Sequence, residues 1–387
     1  MTAGAMGVTG MTGAAEAAGQ AASAMNGTPT VGPGPLTAAT LRALEEAGLD
    51  VSDVLRAVRS ALDEDFRYGP DVTSAATVAG RTVSADMVAR EAGVVAGLPV
   101  ALAVFDLFAD YLGDGTQTAR EPGSDKIRDT LTPWRGSKYP ASSVGGLRPA
   151  PGGESPRTVA SAPLVTVTAL VADGTAVAPG DAVLRVSGNA VAVLGAERTI
   201  LNFVTHLSGI ASATRQWADA VAGTGAVVRD TRKTLPGLRS LQKYAVRCGG
   251  GENHRMGLGD AALVKDNHVA AAGGIAAAVR AVRAAAQSTP ARAGLVIEVE
   301  CDSLAQVREA LDAGARFILL DNMPVPVLRE AVAAARAYDG VRLEASGGLK
   351  LANARDVAAT GVDYLSVGGL THSSDALDLG LDYRGTA

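Results

Sequence analysis

Short apolar strands alternate with helices along the C-terminal half of the chain, and this alternation limits the fold more than any other feature. From Ala226 onward, six strand-like segments follow one another: AVVRD, AALVK, VIEVEC, FILLD, VRLEASG and DYLSVGG. Segments with helical spacing separate them, including GIAAAVRAVRAAAQ and SLAQVREALDAG. Continuous apolar strands joined by crossover helices form parallel sheets. The pattern predicts an α/β fold, with an open or incomplete parallel α/β barrel over residues 206–372 as the catalytic domain.

The N-terminal half has a different rhythm, which predicts an α+β domain over residues 35–205. Helical spacing is found in LTAATLRALEEAGLDVSDVLRAVRSALDED, whereas PLVTVTALVADGTAVAPGDAVLRVSGNAVAV alternates like antiparallel strands with Gly-containing turns. Within this domain, residues 113–162 are rich in Gly, Pro, Ser and Arg and too long for an ordinary connection. We therefore expect a low-complexity insertion there.

The two ends of the chain are expected to lie outside both domains. Residues 1–34 consist mainly of Gly, Ala, Thr and Met with almost no charge, and they cannot bury enough apolar surface to become ordered. We expect a disordered extension there, and a C-terminal tail over residues 373–387.

Composition excludes several classes of protein. The net charge of −5 gives no indication of nucleic-acid binding, and no apolar run approaches the roughly 18 to 20 residues of a membrane span. No basic residue precedes Arg42, so the charged start of a secretory signal is missing. Cys248 and Cys301 have neither disulfide-framework nor zinc-site spacing. We expect a cytoplasmic protein that binds neither nucleic acid nor membrane.

Residues that could bind a ligand or take part in catalysis lie at the ends of nearly all the predicted parallel strands. The C-terminal ends of barrel strands converge on one site, so residues distant in sequence should become neighbours there. These residues are Arg232 and Lys233, Lys265, Glu300, Asp321, Ser346 with Gly347 and Gly348, and Gly368 with Gly369.

Three kinds of side chain in this set predict the chemistry of the ligand. The basic residues of segment 229–269 lie in Gly-rich turns and suit a ligand with several negative charges, although a solvated charged face stays an alternative. The loops ASGGL and SVGGL resemble a barrel phosphate cradle, or are plain tight turns. Glu300 and Asp321 offer the hard oxygen ligands that suit Mg²⁺.

The ordered motifs resemble one enzyme family. AERTILNFVTHLSGIASAT, RDTRKTLPGLR, CGGGENHRMGLGDAALVKDNH, IEVEC, LLDNM, EASGG and SVGGLTHS together are similar to quinolinate phosphoribosyltransferase, also called nicotinate-nucleotide pyrophosphorylase (carboxylating). The likeness is loose over residues 36–112 and close over 163–374. It implies transfer of phosphoribosyl from phosphoribosyl pyrophosphate to quinolinate with Mg²⁺, which yields nicotinate mononucleotide, pyrophosphate and carbon dioxide in NAD biosynthesis.

The resemblance also implies roles for individual residues. Quinolinate carboxylates would be bound by Arg198, Arg232, His254 and Arg255, with Arg198 reaching in from a neighbouring subunit of a homodimer, or of a hexamer built from such dimers. Lys233 and Lys265 would lie between the two substrates. Glu300 and Asp321 would face the ribose and its Mg²⁺, directly or through water or substrate. The 5′-phosphate would lie against Ser346, Gly347, Gly348, Gly368 and Gly369.

Three histidines are expected to have supporting roles, and several other functions remain alternatives. We expect His268 to orient its loop, and His206 and His372 to be structural. A Schiff-base lyase would use Lys265 as its nucleophile. A molybdenum-transport-associated relative of the family, a nicotinate phosphoribosyltransferase and a non-catalytic anion-binding protein are further alternatives. Neither the extension nor the insertion inherits a function from the resemblance.

Overall fold

The computed structural model describes residues 36–112, 164–292 and 294–385 of the chain. The predictions for the extension at 1–34 and the insertion at 113–162 therefore lie outside the described residues.

The N-terminal domain contains a four-stranded antiparallel sheet and a layer of helices. Its sheet has the order β12-β1-β5-β3, and β2 pairs separately with β4. The strands are β1 (Thr82–Ala89), β2 (Gly93–Val94), β3 (Val165–Ala169), β4 (Ala176–Val177), β5 (Ala182–Asn189) and β12 (Leu379–Gly385). The helices are α1 (Ala38–Glu46), α2 (Val51–Phe66), α3 (Val72–Thr77) and α4 (Leu98–Phe108).

The second domain is built on six parallel strands. They lie in the order β6-β11-β10-β9-β8-β7, and the described strands β6 and β7 do not pair with each other, so the barrel is open. This confirms the predicted fold class. The strands are β6 (Val227–Arg229), β7 (Ala261–Val264), β8 (Val296–Cys301), β9 (Phe317–Asp321), β10 (Arg342–Ser346) and β11 (Tyr364–Ser366).

Helices cover the outside of this sheet and connect its strands. Their apolar faces pack on the strands, and buried residues of both domains form one continuous core. The helices are α5 (Ala190–Val221), α6 (Arg239–Cys248), α7 (Asp266–Ala272), α8 (Ile275–Gln287), α9 (Leu304–Asp312), α10 (Val325–Ala335), α11 (Leu351–Ala358) and α12 (Gly369–His372). No single described helix is long and apolar enough to cross a membrane, although α7 and α8, bent by 91° against each other, meet that criterion as a pair.

The predicted boundary at residues 205 and 206 falls inside helix α5. Helix α5 is 32 residues long and runs across that point without a break. Its N-cap is Asn189, whose side chain accepts a hydrogen bond from the backbone of Ala192. Most of its buried residues lie in its middle. One helix therefore contributes to both domains.

The segment expected as a C-terminal tail, residues 373–387, instead returns to the N-terminal domain over its described part. Strand β12 pairs along β1, and both Leu377 and Leu379 are buried. The chain reaches the sheet by passing close to Gly209 of α5, where a Cβ atom would lie 2.0 Å from the carbonyl oxygen of Asp375. Pairing with β12 removes an exposed edge from β1, which is the physical reason for the correction.

We predict that Leu379→Ala lowers the free energy of unfolding by about 2–5 kcal/mol, because it leaves a cavity under the sheet. Tyr383→Ala on the same strand is the matched control, since Tyr383 is 59% exposed and Leu379 only 5%. Urea denaturation followed by circular dichroism measures both. Equal, small effects of the two substitutions would mean that Leu379 is not packed against the sheet.

Candidate active site

A cavity of about 630 Å³ opens where β6, β10 and β11 end. Residues of all three strand ends line it, as the convergence of parallel strands predicts. Among the lining residues are Thr231, Lys233, Ser346, Gly347, Gly348, Gly368, Gly369 and His372. Five of the predicted phosphate-loop residues and one predicted lysine thus share a single cavity.

The geometry of these loops requires glycine at 347 and brings Lys233 against Gly368. Gly347 has a φ of 83°, and a Cβ atom there would lie 2.4 Å from the side-chain oxygen of Asn322. Gly368 has an ordinary backbone, and a Cβ atom there would lie 3.0 Å from the Lys233 side chain, so the lysine stem packs on this loop.

The two acidic residues end neighbouring strands. Glu300 accepts a hydrogen bond of 2.6 Å from Lys265, and its side chain is 17% exposed. Asp321 accepts one of 2.8 Å from the side chain of Asn322. Neither acid lines the 630 Å³ cavity. Partly exposed carboxylates of this kind fit a hard cation that takes its other ligands from water and substrate phosphates.

Arg232 acts electrostatically on Arg255, and neither arginine forms an ion pair with an acid among the described residues. Burial and the positive charge of Arg232 lower the pKa of Arg255, burial more strongly, whereas Glu298 and Asp260 oppose that shift. The Nε atom of Arg232 is buried without a hydrogen-bond partner among the described residues, and Arg255 donates to the carbonyl oxygen of Ala261 at 3.1 Å. Two adjacent guanidinium groups repel each other, and an anion between them removes that repulsion.

His254 lies in the interior of the barrel. Its Nε2 atom is 2.9 Å from Glu298 and 3.4 Å from Glu344, and its Nδ1 atom accepts a hydrogen bond of 2.7 Å from the backbone of Arg255. Burial lowers the pKa of His254, but the two carboxylates together raise it by more, so that its pKa is about 9. Both ring nitrogens face protein groups, so a contact with a substrate carboxylate would have to replace one of these partners, and that role stays a prediction.

The acids around His254 each have a polar partner. Arg229 donates to Glu344 at 2.9 Å and lies over the rings of Phe317 and Tyr364. The Nε2 atom of His254 faces Glu298. Among the described residues, His254, Glu298 and Glu344 form the one group of three with the spacing of metal ligands. Arg229, His254, Glu298 and Arg255 contribute to the lining of a second cavity of about 550 Å³.

A fully buried ion pair connects the end of β6 to the segment that carries His254 and Arg255. Lys243 donates to Asp230 and, at 2.8 Å, to the carbonyl oxygen of His254. Asp230 also accepts hydrogen bonds from the Asn253 side chain and from the His254 backbone at 2.6 and 2.9 Å. Burial raises the pKa of Asp230 and lowers that of Lys243, while each partner opposes the shift of the other.

Arg198 is exposed on α5 and lines neither of these cavities. This position is compatible with contact to a neighbouring subunit, and that role stays a prediction.

His268 and His372 differ in their surroundings. His268 accepts a hydrogen bond of 3.0 Å from the Lys265 backbone, which confirms that it orients its loop. His372 was expected to be structural, yet it lines the 630 Å³ cavity, 3.5 Å from the Cβ position of Gly368. The signal in the sequence was its place four residues after Gly368, one helical turn along the helix that begins at that loop.

Comparisons with known proteins agree with the motifs. The profile "Quinolinate phosphoribosyl transferase, C-terminal domain" matches residues 210–382, and its N-terminal counterpart matches 155–208. The nicotinate-nucleotide pyrophosphorylase [carboxylating] of Mycobacterium leprae is 48% identical over 328 residues, covering 84% of this chain and 95% of that protein. A mitochondrial quinolinate phosphoribosyltransferase [decarboxylating] of Nicotiana tabacum is 40% identical over 57% of this chain and 65% of its own length.

Solved structures show the same fold. The nicotinate-nucleotide pyrophosphorylase from Francisella tularensis superposes with a TM-score of 0.69 at 31% identity, covering 87% of this chain and 98% of that one. The corresponding protein from Ehrlichia chaffeensis gives a TM-score of 0.67 at 32% identity, over 87% and 99% of the two chains.

We predict that Lys243→Ala costs about 3–5 kcal/mol of stability, because it leaves the Asp230 carboxylate buried and uncompensated. The double variant Asp230→Asn, Lys243→Met removes both charges, keeps a side-chain oxygen that can accept the His254 backbone N–H, and should regain most of that loss. Urea denaturation curves of the two variants provide the measurement. If the double variant is as unstable as the single one, lost packing rather than an unpaired charge is responsible.

Proposed function

The chain belongs to the quinolinate phosphoribosyl transferase family, and from this membership we infer that it transfers the phosphoribosyl group of phosphoribosyl pyrophosphate to quinolinate. The transfer is accompanied by decarboxylation. The products are nicotinate mononucleotide, pyrophosphate and carbon dioxide, and the reaction is a step in NAD biosynthesis.

The pairing of Arg232 with Arg255 is the observation that best supports quinolinate as the acceptor. Quinolinate is a dicarboxylate, and two guanidinium groups that form no ion pair in the described part of the chain match its two negative charges. A monocarboxylate would leave part of this positive charge unpaired, which is costly in a partly buried site. We assign Arg232 and Arg255 to quinolinate binding.

The loops of the 630 Å³ cavity suit the other substrate. We place the 5′-phosphate of phosphoribosyl pyrophosphate against Ser346, Gly347, Gly348, Gly368 and Gly369, which line this cavity. Backbone N–H groups of such glycine-rich loops can bind phosphate. Lys233 packs on Gly368 and is therefore close to this phosphate. Its flexible stem lets the ammonium group reach oxygen atoms of either substrate.

The reaction forms two bonds, one from nitrogen to the anomeric carbon and one from the ring carbon to hydrogen, and breaks two. The pyridine nitrogen attacks the anomeric carbon of the ribose as the bond from that carbon to pyrophosphate breaks. The pyridinium then accepts the electron pair of the bond to the 2-carboxylate, carbon dioxide leaves, and the ring carbon takes up a proton from solvent. No general base is needed for the attack, so holding two anions together against their repulsion is the main task of the cations.

Glu300 and Asp321 are proposed to face the ribose and to hold Mg²⁺, directly or through water and substrate oxygens. When bound, the cation would supply charge neutralisation for the departing pyrophosphate. The two carboxylates would also stabilise positive charge that develops at the anomeric carbon. Lys265, paired with Glu300, would be held toward the substrates by that contact.

We further propose a cytoplasmic homodimer in which Arg198 of one subunit completes the site of the other. A larger form would be a hexamer built from three such dimers. The exposure of Arg198 on α5 supports this assignment.

One alternative is disfavoured by a specific contact. A Schiff-base lyase needs Lys265 as a neutral amine, yet its ammonium group is in an ion pair with Glu300 at 2.6 Å. A molybdenum-transport-associated relative and a nicotinate phosphoribosyltransferase differ from the proposal in their substrate, and the following experiment separates them.

Purified protein is incubated with phosphoribosyl pyrophosphate, Mg²⁺ and either quinolinate or nicotinate. We expect equal amounts of nicotinate mononucleotide and carbon dioxide from quinolinate, little product from nicotinate, and loss of turnover when EDTA removes Mg²⁺. Chromatography and trapping of carbon dioxide measure the two products. No product from quinolinate with folded protein would refute the function, whereas turnover unaffected by EDTA would refute only the metal assignment.

Mixing two inactive variants tests the shared site. Arg198→Ala and Lys233→Ala each disable one contribution, so a heterodimer has one intact site. Random subunit exchange should restore about a quarter of wild-type activity. Native mass spectrometry checks that heterodimers have formed. Heterodimers without activity would place both residues in the same subunit's site.

A further inference from the structure

The His254 side chain is enclosed by protein groups on both sides. Its Nε2 atom is 2.9 Å from a carboxylate oxygen of Glu298, and its Nδ1 atom accepts the backbone N–H of Arg255 at 2.7 Å. The side chain is 9% exposed. His254 contributes to the lining of the 550 Å³ cavity, but neither ring nitrogen is available to a ligand without breaking one of these contacts.

These contacts form a continuous link from the barrel interior to a substrate-binding arginine. Glu298 lies on β8 and fixes the ring, the ring fixes the backbone of Arg255, and the Arg255 side chain donates to Ala261. The backbone of His254 is separately held by Asp230 and Lys243. The orientation of Arg255 therefore depends on the imidazole as well as on the buried ion pair.

We propose that His254 is a positioning residue that acts through Arg255, and that it does not bind a substrate carboxylate itself. This inference rests on the proposed function, because it assigns the quinolinate contact to Arg255. Glu298 is part of the same device. Its other oxygen atom is buried without a hydrogen-bond partner in the described part of the chain, so its interaction with His254 is its main polar contact.

A double-mutant cycle separates positioning from direct binding. Isothermal titration calorimetry measures the dissociation constant of quinolinate for wild type, His254→Gln, Arg255→Ala and the double variant. We expect Arg255→Ala to weaken binding by about 100-fold and His254→Gln by about tenfold, as for loss and misplacement of a charged hydrogen bond. The double variant should bind no more weakly than Arg255→Ala alone, since His254 has nothing left to position.

The opposite outcome is equally clear. If the double variant loses a further factor of about ten, the two residues contribute independently and His254 contacts the substrate. Binding of phosphoribosyl pyrophosphate should stay within about twofold in all variants, because its loops lie on β10 and β11, and a general structural defect would reduce both affinities.

Two more variants cover the possibility that His254→Gln does not fold. Glu298→Gln keeps the shape of the side chain and weakens its hold on the ring, so it should reduce quinolinate affinity in the wild-type background and not in Arg255→Ala. Asp86→Asn is the matched control, since Asp86 is equally buried but pairs with Arg185 in the N-terminal sheet. Wild-type protein that binds no quinolinate would instead refute the proposed function.

Discussion

The ion pair between Asp230 and Lys243 determines where the rest of the site can be. It is fully buried, and removing two charges from water is costly unless every oxygen and proton finds a partner. Here Asn253 and the backbone of His254 provide those partners. Apolar residues in place of the pair would not necessarily reduce stability. Its specific contribution is geometric, because it joins the end of β6 to the segment carrying Arg255.

Charge differs between two groups of residues in the barrel. In the first, Arg229 forms an ion pair with Glu344 and the His254 imidazole contacts Glu298, so each acid has a polar partner. In the second, Arg232 and Arg255 form no ion pair among the described residues, and Arg232 lowers the pKa of Arg255 although Glu298 and Asp260 oppose that shift. We expect anionic substrates to neutralise the positive charge that remains.

The sequence predicted the six strands and the residues at their ends because apolar runs and crossover helices are local signals. Contacts between residues distant in sequence were not predicted. The pairing of β12 with β1 joins segments that lie far apart in the chain, and the sequence of residues 373–387 does not indicate which strand it pairs with. The partners of His254, Glu298 and Glu344, come from distant strands, so the sequence could not show the contacts of its imidazole. His372 gave only a weak signal, and the roles of the strand-end residues stay predictions.

The position of β12 has a consequence for biosynthesis. A ribosome releases the N-terminal domain first, yet the edge of β1 has no partner until the last residues of the chain emerge. Until then the nascent protein exposes an unpaired strand edge, the kind of surface on which aggregation starts. Completion of the first domain is thereby coupled to completion of the whole chain, so a prematurely terminated product lacks an intact sheet as well as the last wall of its cavity.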